Sequence, residues 1–171
     1  MTRRDVLERM LGAMALLLGG KRAAAAASAA PDIERLDLPK SEWKKRLSPE
    51  AYAVLFEAGT ERPGSSALEQ EKRTGSYVCA ACLLPLFESA AKFESGTGWP
   101  SFFQAIEGHV ATKTDYKLIL PRTEYHCVRC GGHQGHVFDD GPPPTGLRYC
   151  NNGVALRFVP EGEPLPPLVR S

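Results

Sequence analysis

Five cysteines are the residues here whose type and spacing can do chemistry, and they divide four and one. Cys79 and Cys82 form one C-x-x-C, Cys127 and Cys130 a second, and Cys150 stands alone in Arg-Tyr-Cys-Asn-Asn. Two such hooks close a tetrahedral site of four thiolates, which leaves no open position for a reaction. The fifth sulfur then has no intrachain partner. With Arg148 beside it and Gly-Gly-His133-Gln-Gly-His136 upstream, Cys150 is the candidate nucleophile.

Each hook precedes residues suited to a tight turn, Leu83-Leu84-Pro85 and Gly131-Gly132, so that two sulfurs face one ion from a single knuckle. The 44 residues between Cys82 and Cys127 exceed the roughly 15–20 of a compact zinc ribbon. The site therefore ties two distant segments of one domain together. Disulfides or two redox pairs are the rival readings, the latter requiring a βαβ context that the chain lacks. His126 abuts Cys127 and reads as a strand residue or a substitute ligand.

Around Cys150, alternation in an extended segment puts Arg148, Cys150 and Asn152 on one face. A guanidinium or imidazolium nearby raises the thiolate fraction of a cysteine. Asn152 is placed to donate a hydrogen bond to whatever the sulfur attacks. His133 and His136 carry protons near neutral pH. Asp139 and Asp140 are positioned to orient a histidine or to pair with Arg148, and Trp99 in Gly-Thr-Gly-Trp-Pro offers the wall of an apolar pocket. Taken one by one these have ordinary readings: an inert buried cysteine, solvated histidines, a core tryptophan. His109 has no such company and carries no assigned role.

The elements that must position these groups are short. Residues 31–40 read as a linker, followed by a helical turn or two over residues 41–47 and a helix capped by Ser48 and opened by Pro49, running to about Glu57. From Thr74 onward come brief β runs, 77–79, 86–87, 92–94, 110–115, 117–120, 123–127, 147–150 and 154–159, broken by glycine and proline. The expected fold is mainly β, an antiparallel domain with short N-terminal helices stapled by the four-cysteine zinc site, and residues 161–171 form a proline-rich tail.

Residues 1–30 read as an export signal of the twin-arginine type, with Arg3-Arg4, an apolar stretch from Met10 to Leu18 and an alanine-rich run offering A-x-A sites. The apolar stretch is shorter than the roughly 20 residues a bilayer span needs, which argues against stable membrane insertion. An uncleaved signal anchor is the alternative. Export of an already folded chain suits four thiols that would otherwise meet an oxidising periplasm without metal.

The chain is 43% hydrophobic and 24% charged, as soluble globular domains are. Five of the 21 basic and two of the 20 acidic residues lie in residues 1–30, leaving a body of net charge about −2 and no electrostatic reason for nucleic-acid binding.

Read together, the strings Glu-Arg-Pro63, Tyr-Val-Cys79-x-x-Cys82, Lys92-Phe-Glu-Ser-Gly-Thr-Gly-Trp-Pro-Ser-Phe102, Cys127-x-x-Cys130, Gly135-His-Val-Phe-Asp-Asp-Gly141 and Arg148-Tyr-Cys-Asn-Asn-Gly resemble the methionine-R-sulfoxide reductases of the B type. The resemblance covers residues 41–160. It implies a fold of two antiparallel sheets, with one structural zinc on Cys79, Cys82, Cys127 and Cys130. It implies that Cys150 is the catalytic cysteine, that Trp99 packs on the substrate's methyl group, that His133, His136 and Asn152 serve the sulfoxide, and that Asp140 and Arg148 support the sulfur. The implied reaction converts peptide-bound or free methionine-R-sulfoxide to methionine and leaves a sulfenic acid on Cys150.

Many relatives carry a resolving cysteine where this chain has Thr97. With the other thiols committed to metal, an external, thioredoxin-like thiol reductant is expected. The loop after Pro63 and the Gly153 position also depart from the family's pattern. The expected enzyme is a monomer. The rival functions are a ligand-binding module on the same scaffold, which has no use for a reactive thiol, and a zinc-ribbon nucleic-acid protein, disfavoured by spacer length and charge.

Overall fold

A computed structural model describes residues 33–116 and 120–170, so the expected signal in residues 1–30 and most of the 117–120 β run lie outside the described residues. Helix α1 spans Lys40–Arg46 and α2 spans Pro49–Glu57. Lys44, Lys45 and Arg46 sit in the last turn of α1, where cations oppose the helix dipole. Proline after Ser48 forces an extended residue between the helices. Ser48 Oγ accepts from Ala51 N at 3.2 Å and caps α2. Ala58 then turns left-handed at φ 52 and Gly59 N closes on Ala53 O, which ends the helix. The helices bury Trp43, Val54 and Leu55.

Nine strands follow: β1 Gly75–Cys79, β2 Pro85–Glu88, β3 Lys92–Phe93, β4 Ser101–Phe102, β5 Val110–Asp115, β6 Arg122–Cys127, β7 His133–Phe138, β8 Arg148–Asn151 and β9 Leu156–Pro160. They form two antiparallel sheets, one ordered β2-β1-β9 and one β3-β4-β8-β7-β6-β5. Mainly β, two antiparallel sheets and short leading helices is therefore the fold, as expected.

Strands β4 and β7 fall outside the β runs legible in sequence. Each is glycine-flanked or too short to show alternation, and pairing with β8 makes both. At Gly135 in β7 a Cβ would come 1.9 Å from the Cys150 carbonyl oxygen, so only glycine permits that approach.

The core lies between the sheets and the helices. Phe87 and Phe102 stack with centroids 4.2 Å apart, and Tyr77, Tyr125 and Tyr149 meet them edge-on. Tyr77, Phe87, Phe102 and Tyr125 are fully buried. One face of the larger sheet thus belongs to this aromatic core. Strand alternation leaves the opposite face for other work.

Among the described residues no helix is long and apolar enough to cross a membrane.

Candidate active site and metal centre

The register of the larger sheet sets five residues in a row on the face away from the aromatic core. Ser101 pairs with Cys150, Cys150 with His136, His136 with Glu124, and Glu124 with Lys113. Directly opposed residues of antiparallel strands share a face, with Cβ atoms about 4.5–5.5 Å apart. The neighbouring positions Arg148 and Phe138 form the next pair on that face.

His133 belongs to this group through an irregularity in β7. His126 opposes His133 and Tyr125 opposes Gly135, so Gln134 is an extra residue on one strand, a bulge. Without it, positions three apart would point to opposite faces. With it, the rings of His133 and His136 stand 5.4 Å apart, edge to face.

Each histidine holds a buried carboxylate. His136 Nε2 lies 2.8 Å from Asp115 Oδ2, which also accepts from Arg122 Nη2 at 2.8 Å. His133 Nδ1 lies 3.1 Å from Glu124 Oε1, which Lys113 Nζ approaches at 3.2 Å. Burial pushes the Glu124 carboxyl up, but His133 and Lys113 outweigh it and hold it below its ordinary value.

Neither Asp115 nor Glu124 stood out in the sequence, and neither Asp139 nor Asp140 is the carboxylate that these rings touch. The strand alternation of residues 110–115 and 122–127 was the available signal; only the hairpin register reveals its partners. Asp140 instead binds Arg148 in two-pronged fashion, at 2.7 Å to Nε and 2.8 Å to Nη2. That guanidinium holds the Asp140 carboxyl below its usual range.

Burial pushes the Cys150 thiol up; the Arg148 charge and hydrogen bonds from Thr97 and Arg148 oppose that shift, and Asp140 adds to it. Arg148, braced by Asp140, is the cation on the same strand face as this thiol.

Cys150, Trp99, His136, Phe138, Arg122 and Asn152 line one cavity of about 130 Å³. Trp99 Nε1 is buried without a hydrogen-bond partner among the described residues. The loop bearing Trp99 is held at Gly98, φ 88, where an added Cβ would come 2.8 Å from Pro63 Cβ and whose carbonyl accepts from Gly64 N at 2.7 Å. Any side chain at Gly98 would collide there. A wider hollow of about 1030 Å³ opens on the other face, against Leu120, Val137, Leu147 and Tyr149, where no sulfur or imidazole points.

Asn152 is anchored on two sides. Its Nδ2 donates to Gln134 O at 2.9 Å, and its Oδ1 accepts from Glu61 N at 3.0 Å. An amide nitrogen carries two hydrogens, so one remains for the cavity. Glu61 also accepts from Gly153 N at 2.6 Å and Val154 N at 3.0 Å, locking the chain after Cys150. A Cβ at Gly153 would meet Ser66 Oγ at 2.0 Å, so the unusual glycine and the loop after Pro63 fit one another.

The other four cysteines sit where β1 and β6 end, and their sulfurs lie within 4.8 Å of one another. The two knuckles are congruent: Cys79 O accepts from Leu83 N and Cys127 O from Gly131 N, both at 2.9 Å. Leu83 and Gly131 share a left-handed turn, φ 65 and φ 71. Sulfur separations of 3.6 Å for Cys79–Cys130 and 3.5 Å for Cys82–Cys127 approach the tetrahedral edge of about 3.8 Å that metal–sulfur bonds of about 2.3 Å require.

Three neighbouring thiols hold Cys82 well below its usual value, while hydrogen bonding with the same neighbours keeps Cys79 and Cys130 above theirs. A cation would displace the remaining thiol protons and hold all four sulfurs as thiolates. His126 lies on β6 outside the cluster, and His109 Nδ1 pairs with Pro85 O at 2.6 Å.

A cysteine facing imidazoles on a β sheet, with a separate cluster of four thiols, defines a thiol-based enzyme. The SelR domain family matches residues 47–160. A peptide methionine sulfoxide reductase MsrB of Bradyrhizobium diazoefficiens is 54% identical over 123 residues, 71% of this chain and 88% of that one. One from Methanosarcina barkeri is 54% identical over 125 residues, 72% and 88% of the two chains. The chloroplastic peptide methionine sulfoxide reductase B1 of Arabidopsis thaliana is 50% identical over 126 residues, 73% of this chain and 62% of that one. The chain belongs to the methionine sulfoxide reductase B family, and it is an oxidoreductase by class.

Proposed function

We propose that the protein reduces methionine-R-sulfoxide, in peptides or free, to methionine, with Cys150 as the nucleophile. The observation that carries this is the register pairing of Cys150 with His136 beside Trp99 in one small cavity. The cavity suits a thioether-sized group, with an indole for a methyl group and polar atoms for an oxygen.

The Cys150 sulfur gives up its proton and attacks the sulfoxide sulfur, forming a sulfur–sulfur bond. A proton reaches the sulfoxide oxygen from His136 or His133, whose rings are held by Asp115 and Glu124. The oxygen then passes to Cys150, the sulfur–sulfur bond breaks, and methionine leaves with the two electrons. Cys150 is left as a sulfenic acid. Arg148, braced by Asp140, stabilises the thiolate form, and Asn152 is the nearby amide donor.

Cys79, Cys82, Cys127 and Cys130 would hold a structural Zn²⁺ at a closed four-thiolate site, where the ion would supply cross-linking and no chemistry. With the other four of the five cysteines committed to metal, none is left to partner Cys150. An external dithiol of thioredoxin type therefore attacks the sulfenic acid, releases water, and resolves the mixed disulfide with its second thiol. The twin-arginine pattern in residues 1–30 supports export to the periplasm of an otherwise monomeric enzyme, with the reductase domain at 41–160.

Turnover of R- and S-sulfoxide peptides with a small dithiol tests this reading. The wild type reduces the R epimer alone and Cys150→Ser neither. Equal use of both epimers, or activity in Cys150→Ser, overturns it. Mass spectrometry of the oxidised wild type should show no disulfide from Cys150 to another cysteine of the chain.

A further inference from the structure

Gln134 is fully buried, and the reaction above uses none of its atoms. It is the extra residue of the β7 bulge, so no residue of β6 opposes it. Its side chain reaches the smaller sheet, where Nε2 donates to Sγ of Cys79, the last residue of β1, at 3.4 Å. Its backbone carbonyl accepts twice from Asn152, from the backbone N and from Nδ2, each at 2.9 Å. Asn152 lines the Cys150 cavity. One residue therefore touches a sulfur of the four-thiol site and an asparagine of the catalytic cavity.

Packing alone does not call for an amide here. Gln134 Oε1 has no hydrogen-bond partner among the described residues, and a buried polar atom left unpaired destabilises a fold. Methionine has the same reach without that liability. What the amide has and methionine lacks is an N–H directed at sulfur. Among the described residues, no other sulfur of the cluster receives a side-chain donor besides its sister thiols.

A cysteine bound to metal is a thiolate, which accepts hydrogen bonds and cannot donate them. A neutral thiol can do either. A fixed N–H donor therefore favours the metal-bound form of Cys79, as groups hydrogen-bonded to metal ligands do generally. Close packing around the buried side chain leaves it little freedom to absorb a shift of Cys79 by changing rotamer. Such a shift is passed to the Gln134 peptide, whose carbonyl is one of two anchors of the Asn152 side chain, the other being Glu61 N at 3.0 Å.

We infer that the Gln134 amide holds Cys79 as a metal-bound thiolate, and that the Gln134 carbonyl carries the order of the four-thiol site to Asn152. Gln134 is a positioning residue in both directions, acting on the metal through Cys79 and on the sulfoxide through Asn152. The inference rests on occupation of the four-thiol site by a metal ion.

The test uses the full chain loaded with metal. In wild type carrying an NMR-active cadmium isotope, a Gln134 side-chain amide proton should show a scalar coupling to the ion, transmitted through the N–H···S contact. Gln134→Met should release zinc to a chelating dye about tenfold faster than wild type. In its cobalt-loaded form the sulfur-to-cobalt charge-transfer band should move to longer wavelength, because a thiolate without its donor gives up an electron more easily. A residue that merely fills space would move neither. Hydrogen exchange at the Asn152 backbone N–H should be several-fold faster in zinc-loaded Gln134→Met than in zinc-loaded wild type.

An absent coupling in loaded wild type, or a release rate and charge-transfer band in Gln134→Met equal to wild type, overturns the donor role. Unchanged exchange at Asn152 overturns the link to the catalytic cavity. Should Gln134→Met fail to fold, the wild-type coupling and the same measurements on Gln134→Leu decide. Wild-type protein that takes up no metal would overturn the reading of the four-thiol site itself, a result distinct from loaded protein that lacks the coupling.

Discussion

The four-sulfur cluster and the Cys150 face use the same atom under opposite rules. At the cluster, backbone does the positioning: two matching knuckles aim sulfur at sulfur, and the ends of the two sheets meet there. At Cys150, side chains from β4, β6, β7 and β8 surround one thiol with charge and hydroxyls. Gln134 joins the regions, donating to Cys79 Sγ at 3.4 Å while its backbone carbonyl accepts from Asn152. A cysteine's role is thus set by what can neutralise its charge. Three sister thiols invite a cation, whereas one arginine and a row of imidazoles are the surroundings that the proposed nucleophile requires.

The widest separation between the regions should appear on metal removal. Stripping with a chelator, or Cys82→Ser, should lower the melting temperature by well over about 10 °C, since structural zinc contributes on the order of 10–16 kcal/mol in small peptides. Calorimetry on Cys150→Ser should show an almost unchanged melting temperature. Equal melting curves for apo and metal-loaded protein would break the comparison.

Within the catalytic face, Asp115→Asn should cut kcat about a hundredfold, because His136 loses the group that fixes its tautomer. Glu124→Gln should follow in the same direction through His133. Steady-state kinetics with folding checked by circular dichroism would decide. A change confined to KM would assign these acids to substrate binding.

Smaller still is the acid side of the Arg148–Asp140 pair. The Asp140 pKa is depressed in the folded chain, so its contribution is present above the ordinary carboxylate value and fades as pH falls through the depressed one. Asp140→Asn should therefore cost a little stability near neutrality, and the difference from wild type should fade as pH falls below about 4. A loss that persists below about pH 2, where the wild-type carboxyl is itself protonated, would point to packing.

The least effect belongs to the second knuckle. Gly131→Ala has open space but a left-handed backbone, and should cost about 1 kcal/mol, a few degrees of melting temperature. Leu83 already tolerates that conformation in the first knuckle, so a much larger loss would show that the knuckles are not equivalent.

How much was legible beforehand varies by element. The hooks, the Ser48-Pro49 helix start and the lone Cys150 are local patterns, readable because each depends on residues a few positions apart. Strand β7 was not, since its glycines hide alternation and its bulge at Gln134 depends on β6. Asp115 and Glu124 look like ordinary acids in a β run until pairing sets them against the histidines. The contact of Gln134 with Cys79 likewise needs both sheets in place.

The amino-acid order alone determined which sulfurs could share an ion, which one was left over, and that the chain would build short antiparallel strands. Those properties follow from spacing and alternation, which are local. Tertiary structure decided which carboxylates meet which imidazoles and which side chains line the cavity at Cys150. Register and a one-residue bulge choose the face on which every side chain lands, and neither is set until the strands pair.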